Sequence, residues 1–248
     1  VSDEGRSYRT RAIVLGARAL GEADRIVRLL TRECGKIDAV AKGARRPKSR
    51  IGGRLEIAGC VEIMLHRGRS LDVIVAVEER SRRWAALVEP ERLAVASLAL
   101  ERVDVLCEPG EPVPEIFDLL DSTLEAIAKS ERPHRFIARY SLRLLELLGS
   151  MPPAERCCLC GDLLEERSWL DASEGGMLDA KCRRPHREEI ALDVDDRMNF
   201  AALGRERGAG AAVEARPQAA AAIEALIAHY CARPLRVSAL PGYAYGPV

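Results

Sequence analysis

The sequence predicts an α+β protein: a five-stranded barrel at the N-terminus, then an α-helical domain with a zinc-ribbon-like knuckle embedded in it. Three observations carry this expectation. Apolar residues alternate with period two up to about residue 80, they recur at helical spacing beyond it, and four of the eight cysteines fall between residues 157 and 182. At 248 residues and 48% hydrophobic content the chain can bury a sizeable core and is expected to hold two domains, 1–80 and 81–248. Aromatics are only 4%, so Leu, Val, Ile and Ala must build that core.

The strands come first. Tyr8 to Leu15 alternates, Asp24 to Thr31 and Lys36 to Ala41 flank the turn Glu33-Cys34-Gly35, and Val61 to His66 and Leu71 to Val77 flank Arg67-Gly68-Arg69-Ser70. Five short antiparallel strands in so small a segment suit a closed barrel, because closure removes exposed edges. The oligonucleotide-binding (OB) barrel is the commonest five-strand solution, and an SH3-like barrel is the alternative.

Helices follow. Pro90 opens Glu91 to Cys107, Pro114 precedes Glu115 to Ala128, Pro133 precedes His134 to Leu148 with Gly149 as its left-handed cap, and Pro217 precedes Gln218 to Ala232. These four are expected to pack as one domain, interrupted at about 155–190 by the cysteine-rich insertion. Gly204 to Ala212 reads as a mobile loop.

Charge is unevenly placed. Six basic residues and no acidic ones lie between Lys42 and Arg54: Lys42, Arg45, Arg46, Lys48, Arg50 and Arg54. Gly, Pro and Ser keep this segment from forming a helix, so it reads as a mobile cationic loop offered to polyanions. Residues 1–80 carry 17 Lys and Arg against 11 Asp and Glu, and the remainder carries 21 against 27. A basic N-terminal part in a neutral chain is the asymmetry expected where nucleic acid binds, although it also permits self-association or a merely solvated loop. Arg67 and Arg69, in the second hairpin turn, are candidates for weaker contacts. No apolar run approaches the roughly 18–20 residues of a membrane span, and Val1-Ser2-Asp3-Glu4-Gly5 lacks the features of a signal peptide. A cytoplasmic protein with no membrane contact is expected.

Cys157-Cys158-Leu159-Cys160-Gly161 contains a CxxCG knuckle, which points two sulfurs at one tetrahedral ion. At the matching place stand Asp179 and Cys182, so the second knuckle has a carboxylate where a thiol is usual. The candidate ligands are Cys157, Cys160, Asp179 and Cys182, with His186 as alternative fourth ligand and Cys158 adjacent; the metal would be a structural zinc. Cys34, Cys60, Cys107 and Cys231 are scattered singly, as buried thiols are. Catalytic motifs are lacking: there is no Walker A, GxSxG or HExxH sequence, and no H-x-E accompanies the thiols. The acidic pairs Glu165-Glu166, Glu188-Glu189 and Asp195-Asp196 read as solvated faces.

Leu20-Gly21-Glu22-Ala23-Asp24-Arg25-Ile26-Val27-Arg28-Leu29-Leu30-Thr31, then Gly35-Lys36, Ala41-Lys42-Gly43-Ala44-Arg45-Arg46, Ser49-Arg50 and Leu55-Glu56, closely resemble the RecO family of bacterial recombination mediators, as does the order of parts over nearly the whole chain. Two departures stand out: Ile57 follows Leu55-Glu56 where the family usually has Pro, and Asp179 stands where zinc-bearing members have Cys. The resemblance implies a non-enzymatic activity in DNA repair and recombination. It implies binding of single- and double-stranded DNA, annealing of complementary strands, and action with RecR to load RecA onto DNA coated by single-stranded-DNA-binding protein. The residues agree, since a cationic segment lowers the repulsion between two polyanions without reading bases. Tyr8 is the one aromatic of the first 80 residues, so phosphate contact is expected to dominate over stacking. Two other classes compete: a scaffold whose basic loop binds acidic protein tails, and a metal-dependent nuclease subunit, which would need clustered carboxylates or an open metal position.

Overall fold

A computed structural model describes residues 6–184, 188–205 and 213–231. Its first five strands are β1 (Ser7–Leu20), β2 (Asp24–Thr31), β3 (Gly35–Ala41), β4 (Cys60–His66) and β5 (Asp72–Ser81). They close a barrel in the order β1-β2-β3-β5-β4, every pairing antiparallel except β3 with β5. A meander would place each strand beside the next; this Greek-key order is that of the OB barrel, which decides between the two barrels expected.

β1 is longer than its alternation predicts because it serves two partners. Ser7 to Ile13 pair with β4, Ala12 to Leu20 pair with β2, and the register slips between Val14 and Gly16. The slip bends the strand, as a bulge does. Ala17 to Leu20 are exposed on both faces, so no apolar alternation marks them as strand. The barrel interior is filled by Ala12, Val14, Val27, Leu29, Ala39, Ala41, Val61, Ile63, Leu65, Ile74 and Val77, with alanines on β1 and β3 among the larger aliphatic residues.

β3 and β5 meet at only two pairs, Ala39 with Asp72 and Val40 with Val73. The rest of the β3 edge would expose unpaired backbone. The connector between α1 (Pro90–Leu106) and α2 (Pro114–Lys129) lies there: Lys36 bridges Pro109 in parallel sense, and the Gly110 N–H donates to the Lys36 carbonyl at 2.9 Å. Ion pairs fasten the same helices to the barrel. Arg28 on β2 forks onto Asp38 at 2.8 and 3.1 Å and reaches Asp104 of α1 at 3.0 Å, while Arg32 holds Asp118 of α2 at 2.9 Å. The chain divides into two compact units, Val1–Glu131 and Arg132–Val248, so α1 and α2 fall in the unit that holds the barrel.

The second unit contains α3 (Arg135–Leu147), the three-stranded sheet β7-β6-β8 formed by β6 (Ser168–Asp171), β7 (Gly176–Leu178) and β8 (Ile190–Leu192), then α4 (Val194–Arg205) and α5 (Pro217–Tyr230). Gly149, at φ 72°, ends α3: its N–H reaches the Glu146 carbonyl at 3.0 Å and that of Ser150 reaches Leu145 at 2.8 Å, which satisfies the last carbonyls of the helix. α4 is not expected from the apolar pattern, because its Val194 and Met198 are exposed and only Phe200 and Leu203 are buried apolar positions. Its signal is a cap. The Asp193 carboxylate accepts the Asp196 N–H at 2.7 Å and Asp196 returns a bond to the Asp193 N–H at 3.4 Å, a reciprocal box of the kind that starts helices. Asp196 is therefore 5% exposed and paired with Arg216 at 2.7 Å, not part of a solvated face. Glu189 is likewise sequestered, holding Arg183 at 2.8 Å. Of the loop expected at Gly204 to Ala212, the first two residues end α4, and 206–212 lie outside the described residues. No helix among the described residues is long and apolar enough to cross a membrane.

Candidate nucleic-acid interface and metal centre

The basic segment is folded turn by turn. Ala44 and Leu55 are buried in the barrel core and pin its two ends. Between them, N–H groups of Arg46, Ser49, Arg54 and Leu55 close successive turns on Gly43, Arg46, Ile51 and Gly52. Gly52 admits no side chain, since a Cβ there would lie 2.0 Å from the Ala44 carbonyl oxygen. The segment is also sewn to the β1–β2 turn: the Arg45 N–H donates to Ala23 at 2.9 Å, and the Gly43 N–H to Asp24 Oδ1 at 2.7 Å.

Its six cations divide into two groups. Arg45 and Arg54 each spend a guanidinium nitrogen on a backbone carbonyl, Gly21 and Val77 respectively, both at 2.7 Å. Lys42, Arg46, Lys48 and Arg50 are exposed, and no ion pair among the described residues involves them. Four unneutralised charges on a short, internally bonded track beside the β1–β2 turn suit a phosphate backbone.

Arg67 and Arg69 are placed elsewhere. The Arg67 N–H donates to the Arg6 carbonyl, next to the start of β1, whereas Arg45 sits on the turn that follows the end of β1. The sequence sets them apart in the second hairpin turn, and the barrel puts the two clusters at opposite ends of one strand. It also removes a surface. The outer β2–β3 face, where barrels of this type usually receive oligonucleotides, carries Arg28 and Lys36, both engaged with Asp104 of α1, and Asp38, which is taken up by Arg28. A cleft of about 580 Å³ between the barrel and α2 mixes Arg11, Arg80 and Arg83 with Glu62, Asp118 and Asp121. Those carboxylates are paired with Arg80, Arg32 and Arg83, so the cleft has no surplus of positive charge.

The knuckles form a second site. In the first, the Cys157 N–H donates to Asp162 at 2.9 Å and the Gly161 N–H to Cys157 at 3.0 Å, with Gly161 at φ 79°, a turn that suits glycine. In the second, Asp179 Oδ1 accepts the Cys182 N–H at 2.7 Å while Oδ2 accepts the Cys160 thiol at 3.2 Å. The ligand atoms of Cys157, Cys160, Asp179 and Cys182 all lie within 4.8 Å of one another. Cys158 is outside this cluster, its N–H bonded to Met177 and its sulfur beside Gly176. His186 lies outside the described residues.

The donor chemistry fits a metal. Tetrahedral zinc with Zn–S near 2.3 Å and Zn–O near 2.1 Å needs donors roughly 3.5–3.8 Å apart, inside that 4.8 Å limit. Burial works against it, but N–H groups of Cys160, Asp179 and Leu159 hold the Cys157 thiol below its ordinary range. The Cys182 N–H and the Cys160 thiol lower the Asp179 carboxyl. Cys60 and Cys107, by contrast, are ordinary core thiols pushed up to about 11 by burial.

Residues 6–81 match the family model described as recombination protein O N terminal, and residues 88–240 match recombination protein O C terminal. A protein named DNA repair protein RecO from Nocardioides sp. is 42% identical over 183 residues, spanning 72% of this chain and 75% of that protein. Proteins of the same name from two strains of Desulfitobacterium hafniense are each 34% identical over 177 residues, 71% of this chain and 64% of theirs. Two family models that together take in the barrel, the helices and the knuckles settle the matter: the chain belongs to the recombination protein O (RecO) family.

Proposed function

We propose that this chain is a DNA-binding recombination mediator in DNA repair, which anneals complementary strands and, with RecR, helps load RecA onto DNA coated by single-stranded-DNA-binding protein. The observation that carries the reading is the set of four exposed, unpaired cations at Lys42, Arg46, Lys48 and Arg50 on a segment held by its own turns. Two strands approaching each other repel through their phosphates, and a fixed cationic track lowers that cost for any sequence. Residues 1–80 are the part that touches DNA, with Arg45 and Arg54 holding the track in shape as well as adding charge. The outer β2–β3 face is covered, so DNA follows the barrel rim at the β1–β2 turn. Arg67 and Arg69 add contacts at the far end of β1.

The metal would be structural zinc, held by Cys157, Cys160, Asp179 and Cys182. Four protein ligands leave it no open position, so it would tie two knuckles together and take no part in chemistry. The proposed activity makes and breaks no covalent bond, and a cytoplasmic location follows from its DNA substrate. Annealing of complementary oligonucleotides, followed by fluorescence transfer between end labels, tests the reading. Acceleration that disappears as salt rises is expected; no acceleration at 50 mM salt would reject it, and metal-dependent strand cleavage lost on mutating Cys157 would move the assignment to a nuclease.

A further inference from the structure

The geometry points to the tip of the β4–β5 hairpin as a site for an unpaired nucleic-acid base, stacked on the guanidinium plane of Arg67. The inference rests on the DNA-binding reading and adds to it a second mode of contact. Arg67 Cζ lies over the Tyr8 ring, 5.1 Å from its centroid. Tyr8 is itself fixed, half-buried, with its hydroxyl donating to Asp72 Oδ2 at 2.5 Å. Asp72 Oδ1 in turn accepts the Gly68 N–H at 3.1 Å, and the Arg67 N–H donates to Arg6 at 2.8 Å. The tip is thereby tied at three points around one ring.

Tyr8 would be the natural stacking platform of this barrel, but its face is already taken. What the hairpin presents outward is Arg67, which is exposed and has no ion pair among the described residues. A guanidinium is planar and weakly hydrated, and stacks on π-systems. Held over the tyrosine and exposed to solvent, the guanidinium is positioned in advance, so a base can stack on it without ordering a long side chain first. Asp72, whose two oxygens accept from Tyr8 and Gly68, makes no ion pair with Arg67.

The consequence is a division of labour along β1. A duplex hides its base faces, so the Arg67 tip takes single strands only, whereas the track at Lys42, Arg46, Lys48 and Arg50 holds phosphates of either form. During annealing the tip would release each base as it pairs, while the track keeps the product strand in place.

Binding of the full chain to three probes of equal length tests this: a single strand carrying 2-aminopurine, a strand with abasic sites, and a duplex. Arg67→Ala and Arg67→Lys should both weaken binding to the single strand about five- to tenfold, the lower part of the range for one stacked base, and abolish the change in 2-aminopurine fluorescence. Binding to the abasic strand and the duplex should change less than about twofold. Arg67 is exposed, so both variants should keep the parent's thermal unfolding. Rescue by Lys, or equal losses on all three probes, would overturn the stack and leave a phosphate contact. If the unmodified chain bound none of the probes, the DNA-binding reading itself would fail; if it bound them without any 2-aminopurine response, only the stack would.

Discussion

Replacing Lys42, Arg46, Lys48 and Arg50 together by Gln removes four charges without removing a hydrogen bond that shapes the segment, because the turns are closed by backbone groups, by Ser49 and by Asp24. Arg45 and Arg54 are left in place, since each anchors a carbonyl. If each of the four neutralises one phosphate, the slope of log affinity against log salt should flatten by about 2.8 on single strands and about 3.6 on duplex, taking roughly 0.7 and 0.9 per contact. A fourfold rise in salt, from 50 to 200 mM, would then cost the parent about 50- to 150-fold more affinity than the variant. Fluorescence anisotropy of a labelled oligonucleotide across that range measures both slopes. The four positions are exposed, so thermal unfolding should move by no more than about 0.5 kcal/mol. An unchanged slope in the folded variant would refute the argument and return the segment to a solvated loop.

Gly52→Ala places a methyl group against the Ala44 carbonyl and should destabilise the first unit by about 1–3 kcal/mol, read by thermal or urea unfolding, with a parallel loss of DNA affinity as the track deforms. Cys160→Ser should release the metal and lower the melting temperature by about 5–10 °C at metal concentrations near a hundredfold over Kd, checked by elemental analysis; protein purified without chelator and free of zinc would reject the site. Asp179→Ala should do the same and also free the Cys182 N–H, whereas unchanged occupancy would identify His186 as the fourth ligand. The Arg28 fork holds the Asp38 carboxyl below its ordinary 3.8, so that pair adds stability above about pH 3.8 and loses it as pH falls through the depressed folded value. Asp38→Asn should cost about 1 kcal/mol at pH 7 and progressively less as pH falls through the depressed folded value; a cost that does not change with pH would show that packing, not charge, is what the Arg28–Asp38 pair contributes.

The parts of this molecule legible in the sequence are those whose cause is local. Period-two alternation marks all five barrel strands within a residue of one boundary at least, because their inward residues face one core. Prolines at the first helical position mark α1, α2 and α5, and the CxxCG knuckle announces its turn through Gly161. The basic segment is visible because charge needs no partner to be read. The end of β1 and the whole of α4 are not visible as periodicity, since neither Ala17–Leu20 nor Val194–Met198 buries a continuous apolar face.

What depends on residues far apart in the chain was decided only by the tertiary structure. The short pairing of β3 with β5 leaves a barrel edge that the 107–111 connector meets, through the Lys36–Pro109 bridge and the Gly110 N–H on the Lys36 carbonyl. The same closure carries Arg67 to one end of β1 and the basic track to the other, and it lays Arg67 over Tyr8, two residues 59 positions apart that no spacing rule would join. Composition and period state which side chains a chain can bury or expose. Which of them then meet is set by strand order and register, because one pairing fixes the positions of all the residues beyond it.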